Sequence, residues 1–315
     1  MSIKMIRFIN DGNDCYLNSV LQALFNTYSF ICFFKFKRPD ENLIIQTFRS
    51  MHDTNGLINP RDIKKLLGRF DKESSVLFHN NDQQDAHEAI VKILDIVHMS
   101  SSYNETNFND YGKIDTEIKQ RSFDSWKKNS EVFGFSFITR FFGGQFKTLI
   151  SCTDCDYRST SFDNFNNINL PIKGEDVIDC LSDFIKPEDM PDAKCEKCAK
   201  RGLTKTTTIW KFPLTLILNI KRFAFDSDGT TRKVGQLLKM DKHLKICSSK
   251  HVYNYSLTSV VYHHGRSPNT GHYNTDILKN DSWYKLDDEH TMPIELPDFS
   301  SNCYILVYNF GRGPT

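Results

Sequence analysis

The pattern that most restricts the fold of this chain is a doubled C-x-x-C motif. Cys152 and Cys155 form one pair, and Cys195 and Cys198 form a second pair much later in the sequence. A two-residue spacer lets both sulfurs of a turn reach one ion at about 2.3 Å, and Zn²⁺ accepts four thiolates in a tetrahedron. Such a closed site leaves no position for water, so the sequence predicts a structural Zn²⁺ that joins two distant turns. The alternatives, a redox disulfide pair or four unrelated thiols, are less typical of this spacing.

The number and sequence context of the cysteines also indicate the cellular compartment of the protein. The chain has nine cysteines, and no apolar signal segment stands at its N-terminus. In a reducing compartment paired C-x-x-C motifs bind metal more often than they form disulfides, so we expect an intracellular protein, cytoplasmic or nuclear. Four other cysteines stand in apolar or unremarkable contexts and are expected to pack: Cys32, Cys180, Cys247 and Cys303.

Composition excludes several classes of function. The 315 residues are 39% hydrophobic and include 25 Phe, which is enough to bury a large core. The net charge of +1 creates no overall field for nucleic acid or membranes. The sequence contains no apolar run of about 18 residues, the length that would suggest a transmembrane helix. We therefore expect neither a nucleic-acid partner nor membrane association.

One cysteine stands where a thiol can become a nucleophile. Cys15 follows a turn at residues 11–13 and precedes apolar residues at helical spacing: Leu17, Val20, Leu21, Leu24 and Phe25. It should therefore open a helix, where the partial positive charge of the N-terminus, together with a neighbouring imidazolium, stabilises a thiolate. The alternative for a single cysteine in this position is a buried thiol that acts as a small hydrophobe.

A base and a group to orient it are found near the other end of the chain. His272 precedes apolar, strand-like residues, and Asp287 follows the short strand 283–286. A hairpin of these two segments would place the carboxylate beside the imidazole, which completes a Cys, His, Asp arrangement. Considered separately, a single histidine is more often a surface or packed residue, and Asp287 with Asp288 is more often a solvated turn. The combination of these residues with Cys15 favours a catalytic site.

These motifs resemble those of the ubiquitin-specific proteases, which are papain-like cysteine deubiquitinases. The similar segments occur in the family's order: Asn10 to Gln22 (Cys box), Asp82 to Glu88 (QQD motif), Phe212 to Phe223 (a strand with Ile220-Lys221-Arg222-Phe223), Gly271 to Asp288 (His box) and Tyr304 to Tyr308 (closing strand). The resemblance implies hydrolysis after the C-terminal glycine of ubiquitin, with ubiquitin and ubiquitinated proteins as partners. It also implies a zinc ribbon, in agreement with the four cysteines.

The resemblance implies a role for each matched residue of the site. Cys15 would be the nucleophile, His272 the general base and acid, and Asp287 the residue that orients His272. Asn10 would donate its amide N–H to the oxyanion together with the backbone N–H of Cys15. Asp288 is a second carboxylate that could share the orienting or oxyanion role, and we rank it below Asp287.

One position departs from the family, which usually has a small hydroxyl residue before the nucleophile. Here that residue is Asp14. Its side chain could cap the helix, but a negative charge beside a thiolate disfavours ionisation of the thiol. We therefore predict that Asp14 weakens the resting activation of Cys15.

Substrate recognition is expected to depend on local charge. The tail of ubiquitin is basic and ends in two glycines, so Asp85 and Glu88, on one face at the start of a helix, could pair with an arginine of that tail. The resemblance places the QQD motif, including Gln84, against the tail, and Tyr273 would help to wall the glycine channel. Segments 226–233 and 264–270 match the mobile loops that flank the tail in the family. The alternative for the two acids is a helix first turn in which the dipole favours them.

The implied fold is of the α+β class: a papain-like cysteine protease fold with a helical thumb, a mixed palm and β-rich zinc-ribbon fingers. We expect residues 1–315 to form one monomeric catalytic domain. Its thumb would comprise about 1–128, its fingers about 140–215, and its palm about 129–139 and 216–315.

Three interpretations of the function are possible: a deubiquitinase or a protease for a ubiquitin-like modifier, a weakly active or inactive ubiquitin-binding module, and a zinc-ribbon nucleic-acid binder. The third is the weakest, because basic and aromatic residues do not cluster around the C-x-x-C pairs.

Local patterns predict the elements that carry these motifs. Helices are expected around 44–51, from Asn59-Pro60 through Phe70, and over 83–97. Residues 100–122 are polar and weakly periodic, which predicts a mobile loop or insertion. Alternation of Phe133, Phe135 and Phe137, and of apolar residues from Leu214 to Ile220, predicts strands.

Overall fold

The computed structural model describes residues 5–35, 42–54, 56–70, 78, 81–105, 108, 113–225, 231–247, 251–267, 270–298 and 300–311. The helices of this part of the chain are α1 (Cys15–Phe25), α2 (Tyr28–Lys35), α3 (Leu43–Asp53), α4 (Arg61–Phe70), α5 (Ala86–Ser101), α6 (Glu117–Phe133), α7 (Phe137–Phe141) and α8 (Val177–Phe184). Within the described ranges, none of these helices is both long and apolar enough to cross a membrane.

Strands dominate the second half of the chain. They are β1 (Ile6–Phe8), β2 (Gly56–Ile58), β3 (Gly144–Cys152), β4 (Arg158–Phe165), β5 (Ile168–Pro171), β6 (Glu188–Lys194), β7 (Arg201–Lys211), β8 (Thr215–Lys221), β9 (Phe223–Phe225), β10 (Thr231–Lys233), β11 (His243–Cys247), β12 (Val252–Ser267), β13 (Thr270–Lys279), β14 (Ser282–Asp287), β15 (His290–Ile294) and β16 (Cys303–Phe310). The mixture of helices followed by strands confirms the predicted α+β class.

The largest sheet supports the site. Its strand order is β15-β14-β13-β12-β16-β8-β5, and β11 adds to β12. All neighbours along this path are antiparallel except β5 and β8, which run parallel. Strands β13 and β14 form a hairpin in which Thr275 pairs with Leu286, as the sequence predicted for the segments around His272 and Asp287.

Helix α1 lies in the core between this sheet and the other N-terminal helices. All of its residues are buried, including the polar Asn18, Ser19 and Gln22. The hydroxyl of Thr275 in β13 donates to the carbonyl of Ser19 at 2.9 Å, which ties the helix to the sheet. Since α1 is enclosed on all sides, its N-terminus is held at a fixed place beside the β13–β14 hairpin.

The second large sheet brings the two C-x-x-C turns together. Its order is β4-β3-β7-β6. The β3–β4 turn follows Cys152, the β6–β7 turn starts at Cys195, and Cys152 is paired with Leu203 of β7. Antiparallel pairing of β3 with β7 therefore puts both turns at the same end of the sheet.

Several predicted elements are confirmed with small shifts. Helices α3 and α4 lie where periodicity placed them, and the side chain of Asn59 accepts from the N–H of Arg61 at 2.9 Å. Helix α5 begins only at Ala86, so the preceding residues 83–85 lie outside it. Strands β8, β14 and β16 also match their predictions.

The predicted loop at 100–122 is confirmed over 102–105 and 113–116, which form no helix, but it is wrong at both ends, where α5 continues to Ser101 and α6 begins. Residues 106, 107 and 109–112 of this segment lie outside the described residues. The predicted strand around 133–137 is wrong. Helix α6 starts at Glu117, and only a narrow face of it is buried (Ser122, Trp126 and Ser130), so its mainly polar sequence gave a weak helical signal. Phe133 ends α6 and Phe137 begins α7, with Gly134 at a φ of 80° and a capping box at Ser136 between them. Phe133 and Phe137 thus belong to two helix ends, and Phe135 between them forms only an isolated β-bridge with Tyr103.

Parts of both predicted flanking loops form strands, and residues 268 and 269 lie outside the described residues. Residues 264–267 continue β12, and residues 270 and 271 begin β13, so the predicted loop at 264–270 is mostly strand. Residues 226–230 lie outside the described residues, and Thr231–Lys233 forms β10.

Candidate active site

Cys15 is the first residue of α1, as the sequence predicted. A tight turn precedes it, in which Gly12 has a φ of 111° and Asn13 a φ of 58°. The side-chain oxygen of Asn10 accepts from the N–H groups of Gly12 and Asp14, each at 3.1 Å, and so fixes this turn. The thiol is 2% exposed and lies at the positive end of the helix dipole.

His272 and Asp287 are brought together by the β13–β14 hairpin. The Nε2 atom of His272 lies 2.6 Å from Oδ1 of Asp287. Hydrogen bonds with Asp287 and then with Cys15 raise the pKa of His272 to about 10, against a smaller opposing effect of burial. The hydrogen bond with His272 in turn lowers the pKa of Asp287. The structure thus places the His272 ring between the Asp287 carboxylate and the Cys15 sulfur.

Asp288 organises the opposite side of the site. It has a φ of 51°, in the left-handed region, and directly follows the end of β14 at Asp287. Its Oδ2 accepts from Nδ2 of Asn10 at 2.7 Å, and its Oδ1 accepts from Nδ2 of Asn18 at 2.8 Å. One amide N–H of Asn10 is therefore directed at Asp288 rather than toward Cys15.

Asn18 and Gln22 belong to this network and were missed by the sequence analysis. Both are fully buried, and Gln22 donates to the backbone carbonyl of Asp288 at 3.2 Å. They follow Cys15 by three and seven residues and so share its helix face. Two polar residues on the face of a cysteine in an apolar helix are a signal that could have identified them.

Gln83 is a third residue that was missed, although it lies in the QQD segment. Its Nε2 lies 3.7 Å from Sγ of Cys15 and also donates to the carbonyl of Gly271. Its Oε1 accepts from the N–H of Gly271 at 2.8 Å. One half-buried side chain therefore contacts the thiol and the residue next to His272.

Asp14 does not cap α1 with its side chain, contrary to one predicted role. Its side chain accepts no hydrogen bond from the first turn of the helix. Instead Oδ1 lies 2.7 Å from Nζ of Lys64 in α4, and both side chains are only 8% exposed. The negative charge beside Cys15 is therefore compensated by a buried ammonium group. Its predicted effect on the activation of Cys15 stays a prediction.

The four motif cysteines converge at the end of the second sheet. All four Sγ atoms lie within 4.8 Å of one another, with 3.8 Å between Cys152 and Cys198 and 3.7 Å between Cys155 and Cys195. Four sulfurs at about 2.3 Å from a tetrahedral Zn²⁺ would be about 3.8 Å apart, whereas a disulfide needs about 2.05 Å. The backbone N–H of Asp154 also points at Sγ of Cys152, at 3.3 Å. The donor set therefore fits a tetrahedral metal ion.

With this geometry established, comparison with known proteins identifies the family. The family model of ubiquitin carboxyl-terminal hydrolases matches residues 6–308. The chain belongs to the ubiquitin carboxyl-terminal hydrolase family. The matched range includes every residue of the candidate site and all four clustered cysteines.

Curated relatives of this family are longer than the chain. Ubiquitin carboxyl-terminal hydrolase 23 of Arabidopsis thaliana is 27% identical over 321 residues, which cover 95% of this chain and 35% of the relative. Ubiquitin carboxyl-terminal hydrolase 36 of Drosophila grimshawi is 26% identical over 326 residues, which cover 95% of this chain and 25% of the relative. The chain thus spans about a quarter to a third of these hydrolases.

The fold is shared with a solved hydrolase of the same architecture. The structure of the SAGA Ubp8/Sgf11/Sus1/Sgf73 DUB module bound to ubiquitin aldehyde matches with a TM-score of 0.75 and 24% identity, over 99% of this chain and 71% of that chain. A yeast SAGA DUB module with a substituted Sgf73 matches with a TM-score of 0.76 and 23% identity, over 99% and 70% of the two chains. This similarity confirms the predicted fold class.

The acidic residues predicted to bind substrate have different surroundings. Asp85 is the N-cap of α5 and accepts from the N–H of His87 at 2.7 Å. It also accepts from the Tyr304 hydroxyl, at 2.8 and 2.7 Å to its two oxygens. Glu88 is exposed in the first turn, and partial burial together with Asp85 raises the pKa of its carboxyl group. Glu88 is thus the more available of the two for a ligand.

Gln84 and Tyr273 complete the predicted set. Gln84 is half-buried in the segment before α5. Tyr273 is fully buried among the rings of His263 and Tyr304. Its side chain therefore does not wall an open channel in this structure, contrary to the prediction, because strand alternation turns it into the core while His272 faces the site.

Proposed function

We propose that the chain is a cysteine deubiquitinase that hydrolyses the peptide or isopeptide bond after the C-terminal glycine of ubiquitin. The observation that carries this proposal is the contact of His272 with both Asp287 and Cys15 at the start of a buried helix. Membership of the ubiquitin carboxyl-terminal hydrolase family supports the substrate class.

In the first half of the proposed reaction, the Cys15 thiolate attacks the carbonyl carbon of the terminal glycine. The C–N bond then breaks, and His272 gives its proton to the departing amine, which leaves a thioester on Sγ. Asp287 keeps the imidazole oriented and stabilises its protonated form. The backbone N–H of Cys15, the second N–H of the Asn10 amide and the α1 dipole stabilise the oxyanion.

In the second half, His272 takes a proton from water, and the resulting hydroxide attacks the thioester. The C–S bond breaks, ubiquitin leaves with a free carboxylate, and the thiolate is restored. Asp288 acts in this scheme by holding Asn10 and Asn18 rather than by touching the substrate.

We further propose that residues 1–315 form one catalytic domain with a thumb at about 1–128, fingers at about 140–215, and a palm at about 129–139 and 216–315. Cys152, Cys155, Cys195 and Cys198 would hold a structural Zn²⁺ at the tip of the fingers. The ion would supply no chemistry to the reaction, because four thiolates leave no open position for substrate or water.

The proposal is tested with ubiquitin that carries a C-terminal electrophile. Wild type should form a covalent adduct of one ubiquitin on Cys15, and Cys15→Ala should form none. The same electrophile on a ubiquitin-like modifier, reacting faster than ubiquitin, would instead support a protease for that modifier. Binding of ubiquitin without any adduct would leave only the binding-module interpretation.

A further inference from the structure

The Gln83 carboxamide makes three contacts that fully define its orientation. Its oxygen accepts from the N–H of Gly271 at 2.8 Å, and its nitrogen donates to the carbonyl of the same residue. The remaining N–H is the one that can face Sγ of Cys15, 3.7 Å from the nitrogen. Pairing with both backbone groups of one residue removes the rotational freedom that a half-buried glutamine would otherwise keep.

These contacts link parts of the chain that are far apart in sequence. Gln83 precedes α5, Gly271 lies in β13 directly before His272, and Cys15 opens α1. A Cβ atom at Gly271 would lie 2.5 Å from the carbonyl oxygen of His264, so this position is packed closely against β12. A side chain clamped to Gly271 therefore clamps the strand that carries the base.

We propose that Gln83 is a positioning residue for the reaction: it holds the His272 strand against α1 and donates an N–H to the Cys15 thiolate. This proposal rests on the proposed function only in that Cys15 is the nucleophile. Hydrogen bonds to a charged acceptor are stronger than those to a neutral one, so this donor favours the thiolate over the thiol.

The charge balance around Cys15 leaves a role for such a donor. Among the described residues, charged and titratable groups from several packed elements face the sulfur or its neighbours: Asp14 and Tyr16 on its own segment, Lys64 on α4, Asp85 and Glu88 at the start of α5, His272 and Tyr273 on β13, and Asp287 and Asp288 on β14 and the turn after it. Lys64 is paired with Asp14, and His272 is shared with Asp287. Gln83 adds a neutral donor whose strength does not change with pH.

The test measures alkylation of Cys15 by iodoacetamide as a function of pH, with the Cys15 peptide quantified by mass spectrometry. Gln83→Met keeps the length of the side chain and removes the N–H, and Gln83→Glu replaces the donor with a negative charge. Gln120→Met is the matched control, since Gln120 is exposed on α6 and donates to Asp124 at 2.8 Å.

In Gln83→Met we expect the acid limb of the alkylation profile to move to higher pH and the rate at pH 7 to fall about tenfold, the loss expected for one hydrogen bond to a charged group. Gln83→Glu should shift the profile further. The kcat for a ubiquitin substrate should fall, with little change in KM. The control should match wild type.

Unchanged profiles in both Gln83 variants, with thermal unfolding also unchanged, would overturn the proposal. Faster alkylation in both variants would overturn it as well, because Gln83 would then obstruct the thiol. Iodoacetamide needs only the thiolate, so the ubiquitin electrophile and this assay can fail separately. If the wild type forms no adduct with the ubiquitin probe, while the Gln83 variants still shift the alkylation profile relative to wild type, only the proposed function is contradicted.

Discussion

Lys64 and Asp14 form a buried ion pair one residue before the candidate nucleophile. Nζ of Lys64 lies 2.7 Å from Oδ1 of Asp14, and each side chain is 8% exposed. The pair joins α4 to the N-terminus of α1, and Nζ also lies 5.9 Å from the centre of the Tyr16 ring. The aspartate beside the candidate nucleophile is therefore accompanied by its own counter-charge.

Removal of Lys64 should harm both stability and reactivity. In Lys64→Met the buried carboxylate loses its partner, which costs about 3–5 kcal/mol of unfolding free energy. Alkylation of Cys15 should also require a higher pH, because Asp14 then opposes the thiolate. Urea unfolding and the alkylation profile measure these effects. Lys65→Met, on the exposed neighbour, is the control.

The double variant Lys64→Met with Asp14→Thr decides whether charge is the cause. It should recover most of the stability and reactivity lost in Lys64→Met, since no uncompensated charge remains. If the double variant is as impaired as the single one, the ion pair acts by packing and the electrostatic explanation is wrong.

Asp287→Asn should lower the pKa of His272 from about 10 and reduce turnover on the order of 10²–10⁴-fold. NMR titration of the His272 ring measures the first effect, and a ubiquitin substrate measures the second. Asp281→Asn, on the exposed turn of the same hairpin, should change neither. A His272 titration that does not move in Asp287→Asn would contradict the assigned ion pair.

The same pair predicts a dependence of stability on pH. The folded pKa of His272, about 10, lies above the unfolded value near 6.5. Its contribution is therefore complete below about pH 6.5 and is lost as the pH rises through 10. Wild type should lose more stability than Asp287→Asn between these limits, as measured by urea unfolding.

If the four clustered cysteines hold the proposed Zn²⁺, chelation should lower the free energy of unfolding by about 4 kcal/mol or more, because a tight ligand of the folded state is removed. Cys198→Ser should have a similar effect, whereas Cys247→Ser, at an exposed cysteine outside the cluster, should not. Thermal unfolding with and without chelator measures this. Cys15 alkylation should persist, and an unfolding temperature unaffected by chelator would exclude the metal site.

Glu88→Gln should raise KM for a ubiquitin substrate about five- to tenfold with kcat unchanged, since an exposed carboxylate loses its partner on the basic tail. Glu117→Gln is the control, because Glu117 is also an exposed acid in a helix first turn. Steady-state kinetics at two salt concentrations would measure the effect. A KM equal to that of the control would assign Glu88 to the helix dipole alone.

Elements with strong local sequence patterns were predictable, and elements with weak ones were not. Helix α1 was found because its apolar residues repeat at helical spacing, and the β13–β14 hairpin because short apolar segments flank a turn. Helix α6 was missed because few of its residues are buried. Tyr273 was misplaced because the face to which a strand residue points depends on what packs against each face.

The sequence alone determined the family, the metal-binding pattern and the segments that carry Cys15, His272 and Asp287, because these depend on residue type, spacing and order. Only the tertiary structure decided that Lys64 compensates Asp14, that Asp288 holds Asn10 and Asn18, and that Gln83 reaches both Cys15 and Gly271. Each of these contacts joins residues at least 50 positions apart or depends on a backbone turn such as that at Asp288. Side-chain partners of this kind are selected by packing of whole elements, which no local pattern encodes.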